Sequence, residues 1–136
     1  MNVHKLSLLD ILNHFFIKDI VDVLYSCENC HNKSKQLKKI QISKLPKILI
    51  LSIQRFDYTK NIQKESVIEI PLSINMNAYI NNDCNKDNNN NYVLFAVIIH
   101  IGLINFGHYA AILKANNNWK EYNDININEV NILDNN

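Results

Sequence analysis

The chain has 136 residues, of which 47% are apolar and 20% charged, with a formal net charge of +1. That size and composition suit a globular chain that buries roughly two-thirds of its unfolded surface, and the near-neutral charge excludes the basic footprint of a nucleic-acid or anionic-membrane binder. No apolar stretch of ~18 residues occurs, which excludes a membrane-spanning helix, and the first residues mix charges and His4 with leucines and lack a small-residue cleavage site, unlike a secretory signal.

Taken in chain order, the first signal is helical. Leu6, Leu9, Ile11, Leu12, Phe15, Phe16 and Ile20 recur near a 3.6-residue period, which predicts an amphipathic helix over residues 7–16. Ser7 with Asp10 three positions on reads as a capping box. Cys27 and Cys30 follow in a Cys-x-x-Cys. A structural zinc ion takes four tetrahedral ligands, so this pair is half a site, and the adjacency of His31 to Cys30 strains simultaneous ligation. The pair precedes a basic segment and does not open a helix after a strand, which argues against a thioredoxin-like redox role. The odd number of cysteines, with two in one short motif, suits a reducing compartment, cytoplasmic or nuclear. Lys33, Lys35, Lys38, Lys39, Lys44 and Lys47 then form a basic run without arginine or interleaved aromatics, the pattern of a solvated hairpin face and not of a nucleic-acid surface.

The remainder reads as strands. Residues 35–43 alternate imperfectly, as a half-exposed strand. Residues 47–56 are apolar and β-branched, as a buried strand. Residues 67–70 form a short strand stopped by Pro71. Residues 81–91 are an asparagine-rich, low-complexity stretch that reads as a surface loop. Strands follow over 93–100, 108–114 and 119–123. Neither an internal repeat nor a domain boundary is visible. One helix among mostly antiparallel strands is an α+β pattern.

The most informative segment is the last. Both glycines of the chain, Gly102 and Gly107, lie in it, and Gly107 is followed by His108 and Tyr109. An imidazole is thereby placed at the mouth of a sheet, on a backbone that glycine allows to bend or be approached closely. A histidine at a strand start is ordinarily just a polar residue at a sheet end, and Asn123 alone is ordinarily a turn residue. Together with Trp119, Tyr122, Asn123 and Asp124 on the next strand, His108 gains the arrangement by which an imidazole is oriented for a nucleophile. His100, at the end of an apolar strand, reads as structural.

These motifs resemble the C-terminal half of a ubiquitin-specific protease (ubiquitin carboxyl-terminal hydrolase), a papain-like cysteine peptidase. The resemblance runs from about Ser7 to Val130. It is carried in order by Leu8 to Phe16, Tyr25 to Cys30, Leu45-Pro46 to Gln54-Arg55-Phe56, Lys64 with Ile70-Pro71, Tyr92 to Tyr109, and Trp119 to Asp124. It implies hydrolysis of isopeptide or peptide bonds at the C-terminus of ubiquitin, with ubiquitin and ubiquitinated proteins as partners. It implies His108 as the base and Asn123, or the neighbouring Asp124, as its orienting partner. Gly107, Tyr109, Arg55 and Phe56 are implied to border the substrate's Gly-Gly tail, and Cys27 and Cys30 to be one of two zinc knuckles. No cofactor is implied for catalysis. The family's nucleophilic cysteine lies in an N-terminal box of Gly-Asn-Thr-Cys character, and neither that box nor the second knuckle occurs in this sequence. The chain therefore reads as the partial catalytic domain that carries the histidine, over residues 1–136, with the cysteine-bearing half to be supplied from elsewhere. Two other readings stay open: a catalytically inactive ubiquitin-binding or scaffold module, and a weaker one, a zinc-ribbon nucleic-acid binder acting through the lysine run.

Overall fold

The computed structural model describes residues 5–60, 62–64, 66–81, 90–103 and 106–132. In chain order the elements are β1 (Lys5–Ser7), α1 (Leu8–Phe15), β2 (Asp19–Ser26), β3 (Lys33–Lys38), β4 (Phe56–Asp57), β5 (Ile62–Gln63), β6 (Val67–Glu69), β7 (Ser73–Asn75), a 3₁₀ turn (Asn77–Tyr79), β8 (Asn91–Val93), β9 (Ala96–Leu103), β10 (Phe106–Ala115), β11 (Asn118–Asn123) and β12 (Asn126–Val130). Among the described residues, a single α-helix accompanies strands that pair mostly antiparallel, the α+β pattern. The chain divides into two compact units, Met1–Ile50 with Ser66–Tyr92, and Leu51–Glu65 with Val93–Asn136.

In the first unit, α1 starts because Ser7 is extended and its hydroxyl accepts the Leu9 N–H at 3.1 Å. Asp10 sits in the first turn, where its charge complements the helix dipole. Leu8 and Leu12, one turn apart, are buried, as are Met76, Tyr79 and Ile80. The helix is tied to the 3₁₀ turn by the Phe16 and Tyr79 rings at 4.9 Å and by the Tyr79 hydroxyl, which donates to Asn13 Oδ1 at 2.8 Å. Burial pushes the Tyr79 phenol above its ordinary pKa. An isolated bridge joins Ile42 to Ile80, and β1 pairs in parallel with β6. The asparagine-rich stretch falls outside the described residues over 82–89. At its end Asn90 is buried, and its carbonyl accepts the Met76 N–H at 2.9 Å.

Two expectations change here. The strand predicted over 35–43 is observed at Lys33–Lys38, paired with the unanticipated β2, with a register shift between Val21 and Leu24. The buried strand predicted over 47–56 is not present: among the described residues only Phe56 of that run is in a ladder, as the first residue of β4. Its apolar side chains are not uniformly buried either, Ile50 being 84% exposed. An apolar β-branched run becomes a strand only where neighbouring strands pair with its N–H and C=O groups, and residues 47–55 belong to no ladder among the described residues.

The second unit is built on the antiparallel sheet β12-β11-β10-β9. β10 joins β11 through Asn116 and Asn117, both at positive φ (49° and 70°), the type I′ geometry whose twist matches paired strands. β11 joins β12 through Asp124 and Ile125, with Asp124 at φ 52°. β9 and β10 place Gly102 opposite Gly107. Gly102 has φ +112°, a conformation open to glycine, and an added Cβ there would meet the Phe106 carbonyl oxygen at 2.8 Å. The short β4–β5 hairpin is closed by Asp57, whose Oδ1 accepts from Thr59 Oγ1 at 2.6 Å and from Thr59 N–H at 3.1 Å. The hydroxyl bond leads in holding this carboxylate below its ordinary pKa.

If α1 is anchored by its buried leucines, Leu12→Ala lowers the unfolding free energy by about 2–5 kcal/mol, whereas Leu9→Ala, at a position 40% exposed, costs far less. Urea denaturation of the two variants checks this, and equal losses would contradict the assigned face.

Candidate active site

The sheet register builds the site. With Ala111 opposite Tyr122, His108 on β10 and Asn123 at the end of β11 share one face. His108 Nε2–H donates to Asn123 Oδ1 at 2.7 Å. An amide oxygen only accepts, so Nε2 carries a proton, and in the neutral ring Nδ1 keeps the lone pair that can take another. The Asp124 carboxylate comes within 3.9 Å of the same nitrogen but stands largely in solvent, on the left-handed turn residue. Of the two partner residues named from the sequence, Asn123 makes the direct bond and Asp124 adds only a weak, screened charge. Around His108 the surface is apolar: Ile101, directly opposite on β9, is 46% exposed, and Phe106 is 84% exposed.

Strand alternation sends the next residue to the opposite face. Tyr109 pairs with His100, and their rings lie 4.9 Å apart at 60°. Phe56 meets the His100 ring edge-on at 5.3 Å and 87°, and Tyr58 lies 6.1 Å from Phe56. Gly107 belongs to this cluster, because an added Cβ would fall 1.8 Å from His100 Nε2. Arg55 immediately precedes β4, and there its carbonyl accepts the Lys64 N–H at 2.8 Å and its guanidinium donates to the Lys64 carbonyl at 3.0 Å. The structure thus brings Phe56, Gly107 and Tyr109 together around His100, with Arg55 one residue before Phe56.

His100 and Tyr58 are members of this cluster that the sequence reading did not assign to a site. A signal for His100 exists in hindsight. Once Gly102 and Gly107 are taken as a cross-strand pair, antiparallel counting sets His100 opposite Tyr109.

Cys27 and Cys30 lie in the first unit, in the turn after β2, with Cys27 N–H donating to the Asn32 carbonyl at 3.0 Å and His31 N–H to the Cys27 carbonyl at 2.8 Å. The backbone N–H of Cys30, followed by that of Asn29 and by the Cys30 thiol, holds the Cys27 thiol below its ordinary pKa. Among the described residues no set of three His, Cys, Asp or Glu side chains could hold a metal ion. Two thiols do not make a tetrahedral zinc site, so the described residues do not by themselves fit the family's structural metal. Cys84 lies outside the described residues.

The chain is similar to several known proteins. The chain is 27% identical over 128 residues to ubiquitin carboxyl-terminal hydrolase 21 of Homo sapiens, an alignment covering 93% of this chain and 23% of that protein. It is 28% identical to ubiquitin carboxyl-terminal hydrolase 8 of Saccharomyces cerevisiae (93% of this chain, 29% of that one) and 34% identical to ubiquitin carboxyl-terminal hydrolase 3 of Homo sapiens (87% and 24%). The solved SAGA Ubp8/Sgf11/Sus1/Sgf73 DUB module bound to ubiquitin aldehyde contains a chain that superposes with a TM-score of 0.79 at 27% identity, covering 96% of this chain and 32% of that one. The fold is that of part of a ubiquitin-specific protease domain, a papain-like architecture. The chain spans roughly a quarter of the length of these curated relatives. Residues 11–134 match the family described as ubiquitin carboxyl-terminal hydrolase, and the chain belongs to that family.

Proposed function

We propose that this chain supplies the histidine side of a deubiquitinating active site, in which a thiolate hydrolyses the isopeptide or peptide bond after the C-terminal glycine of ubiquitin. The observation that carries the reading is the His108 Nε2–Asn123 Oδ1 bond of 2.7 Å. It leaves Nδ1 as the basic atom, able to accept a thiol proton and later return it to the departing lysine amine. A free thiol, with a reference pKa of ~8.5, is mostly protonated at neutral pH, so such a base is what makes it reactive. Asn123 fixes the ring's tautomer and orientation, with Asp124 as a distant auxiliary.

The nucleophile is supplied by residues outside these 136. The sequence holds Cys27, Cys30 and Cys84, none in a Gly-Asn-Thr-Cys context. The exposed apolar side chains beside His108, Ile101 and Phe106 among them, suit a face that a cysteine-bearing half covers. Gly107, Tyr109, Arg55 and Phe56 border the narrow channel for the Gly-Gly tail of ubiquitin, which excludes larger side chains. Ubiquitin and ubiquitinated proteins are the partners, a role supported by relatives solved in complex with ubiquitin aldehyde and with monoubiquitin. The cytoplasm or nucleus is the setting, and no cofactor takes part in the chemistry. A second reading, a ubiquitin-binding or scaffold module without catalysis, draws on the same absence of a nucleophile context.

Two outcomes follow. The isolated chain does not turn over a fluorogenic amide of the ubiquitin C-terminus, measured by fluorescence. Turnover that disappears on His108→Ala would show that the nucleophile lies within the chain, with Cys84 the suspect. The purified monomer also carries well below one zinc ion per chain by metal analysis, because Cys27 and Cys30 supply two of four ligands. A stoichiometric zinc ion in a monomer would contradict the half-site assignment.

A further inference from the structure

We infer that His100 is a positioning residue for His108: its imidazole, seated on Gly107 from the opposite face of the sheet, fixes the β10 backbone one residue before the base. This rests on the reading of His108 as the general base, and it concerns how that base is held.

Three observations carry it. The first is contact. A Cβ on Gly107 would lie 1.8 Å from His100 Nε2, 2.4 Å from Cε1 and 2.8 Å from Cδ2. The imidazole therefore occupies the space that any side chain at 107 would need. Gly107 has an ordinary backbone φ, so what demands glycine here is the ring and not the conformation. The second is restraint of the ring itself. Phe56 closes one side at 5.3 Å and 87°, and Tyr109, its cross-strand partner, another at 4.9 Å and 60°. Such offset and edge-on contacts lock a ring in place, so it acts as a fixed stop. The third is chemistry. His100 Nδ1 is buried and has no hydrogen-bond partner among the described residues. Through this nitrogen the ring makes no hydrogen bond, and its contact with Gly107 is one of shape.

Strand alternation makes the consequence specific. His100 and Gly107 share the face behind the sheet, and His108 projects from the front toward Asn123 at 2.7 Å. A backbone free to rock at Gly107 would swing His108 relative to a partner on the neighbouring strand. Active-site geometry tolerates only about half an ångström of such drift. His100 removes that freedom without touching His108.

The test needs no substrate. In the 15N-labelled 136-residue chain, the His108 Nε2–H signal is followed by NMR at neutral pH, where a proton donated to Asn123 is shielded from solvent exchange. His100→Phe keeps a ring of similar span and retains the signal. His100→Ala loses it while the backbone amides of β11 and β12 keep their native shifts. Should His100→Ala fail to fold, His100→Val, which keeps strand propensity, carries the same expectation. Gly107→Ala lowers the urea midpoint of the native chain and is tolerated in the His100→Val background, where the ring no longer fills the space its Cβ needs. A retained signal in His100→Ala or His100→Val would overturn the proposal. Loss in His100→Phe would also overturn it, by assigning the role to the ring nitrogens. An equal fall in the urea midpoint on Gly107→Ala in both backgrounds would overturn the contact. Peptidase assays report separately on His108 as a base, so failure of that reading would not be mistaken for failure of this one.

Discussion

The site depends on the register between β10 and β11. His108 reaches Asn123 only because Ala111 lies opposite Tyr122, and a slip of one residue would send the imidazole and the amide to opposite faces of the sheet. The two-residue turn at Asn116 and Asn117 enforces that register, since both must adopt positive φ and asparagine tolerates it better than most residues. The resulting 2.7 Å bond turns a surface histidine into one with a defined tautomer. The abundance of asparagine along the chain suggests composition bias. At 116, 117 and 123 particular asparagines nevertheless perform particular physical tasks.

A second constraint lies behind the sheet. Gly102 and Gly107 face each other across β9 and β10, for different reasons: Gly102 by its backbone conformation, Gly107 by the imidazole pressed against it. Phe56, on β4, reaches this cluster through the His100 ring, and Tyr58 lies against Phe56. The two faces of one short strand thus divide the labour. The front carries the ring that can move a proton. The back carries the aromatic packing that holds the strand still.

Much of this was legible in the residues, for identifiable reasons. α1 was readable because Leu8, Leu12 and their neighbours repeat at helical spacing behind a Ser cap. β9, β10 and β11 were readable because apolar runs alternate with tight polar turns, although β9 runs to Leu103 and β12 was not anticipated. β2 was not, because Asp19 and Asp22 interrupt its apolar pattern and its partner β3 is exposed along its whole length. Residues 47–55 misled because apolarity records a preference for burial, while a strand also requires a partner with free N–H and C=O groups. The pairing of His108 with Asn123 is a contact between strands, and spacing alone does not disclose it. It was reached through resemblance to a family, with Asn123 the candidate and Asp124 the alternative until the direct bond and the turn geometry separated them. Cys27 and Cys30 were visible as a motif, but completeness of a metal site is a property of three-dimensional neighbours.

The most direct measurement joins this chain to a cysteine-bearing N-terminal segment of a ubiquitin carboxyl-terminal hydrolase and follows hydrolysis of a ubiquitin C-terminal fluorogenic amide. If His108 is the base, the joined protein turns over substrate and His108→Ala lowers kcat by about a hundredfold or more, the usual contribution of a positioned general base. Turnover that persists unchanged in His108→Ala would place the base elsewhere and contradict the account.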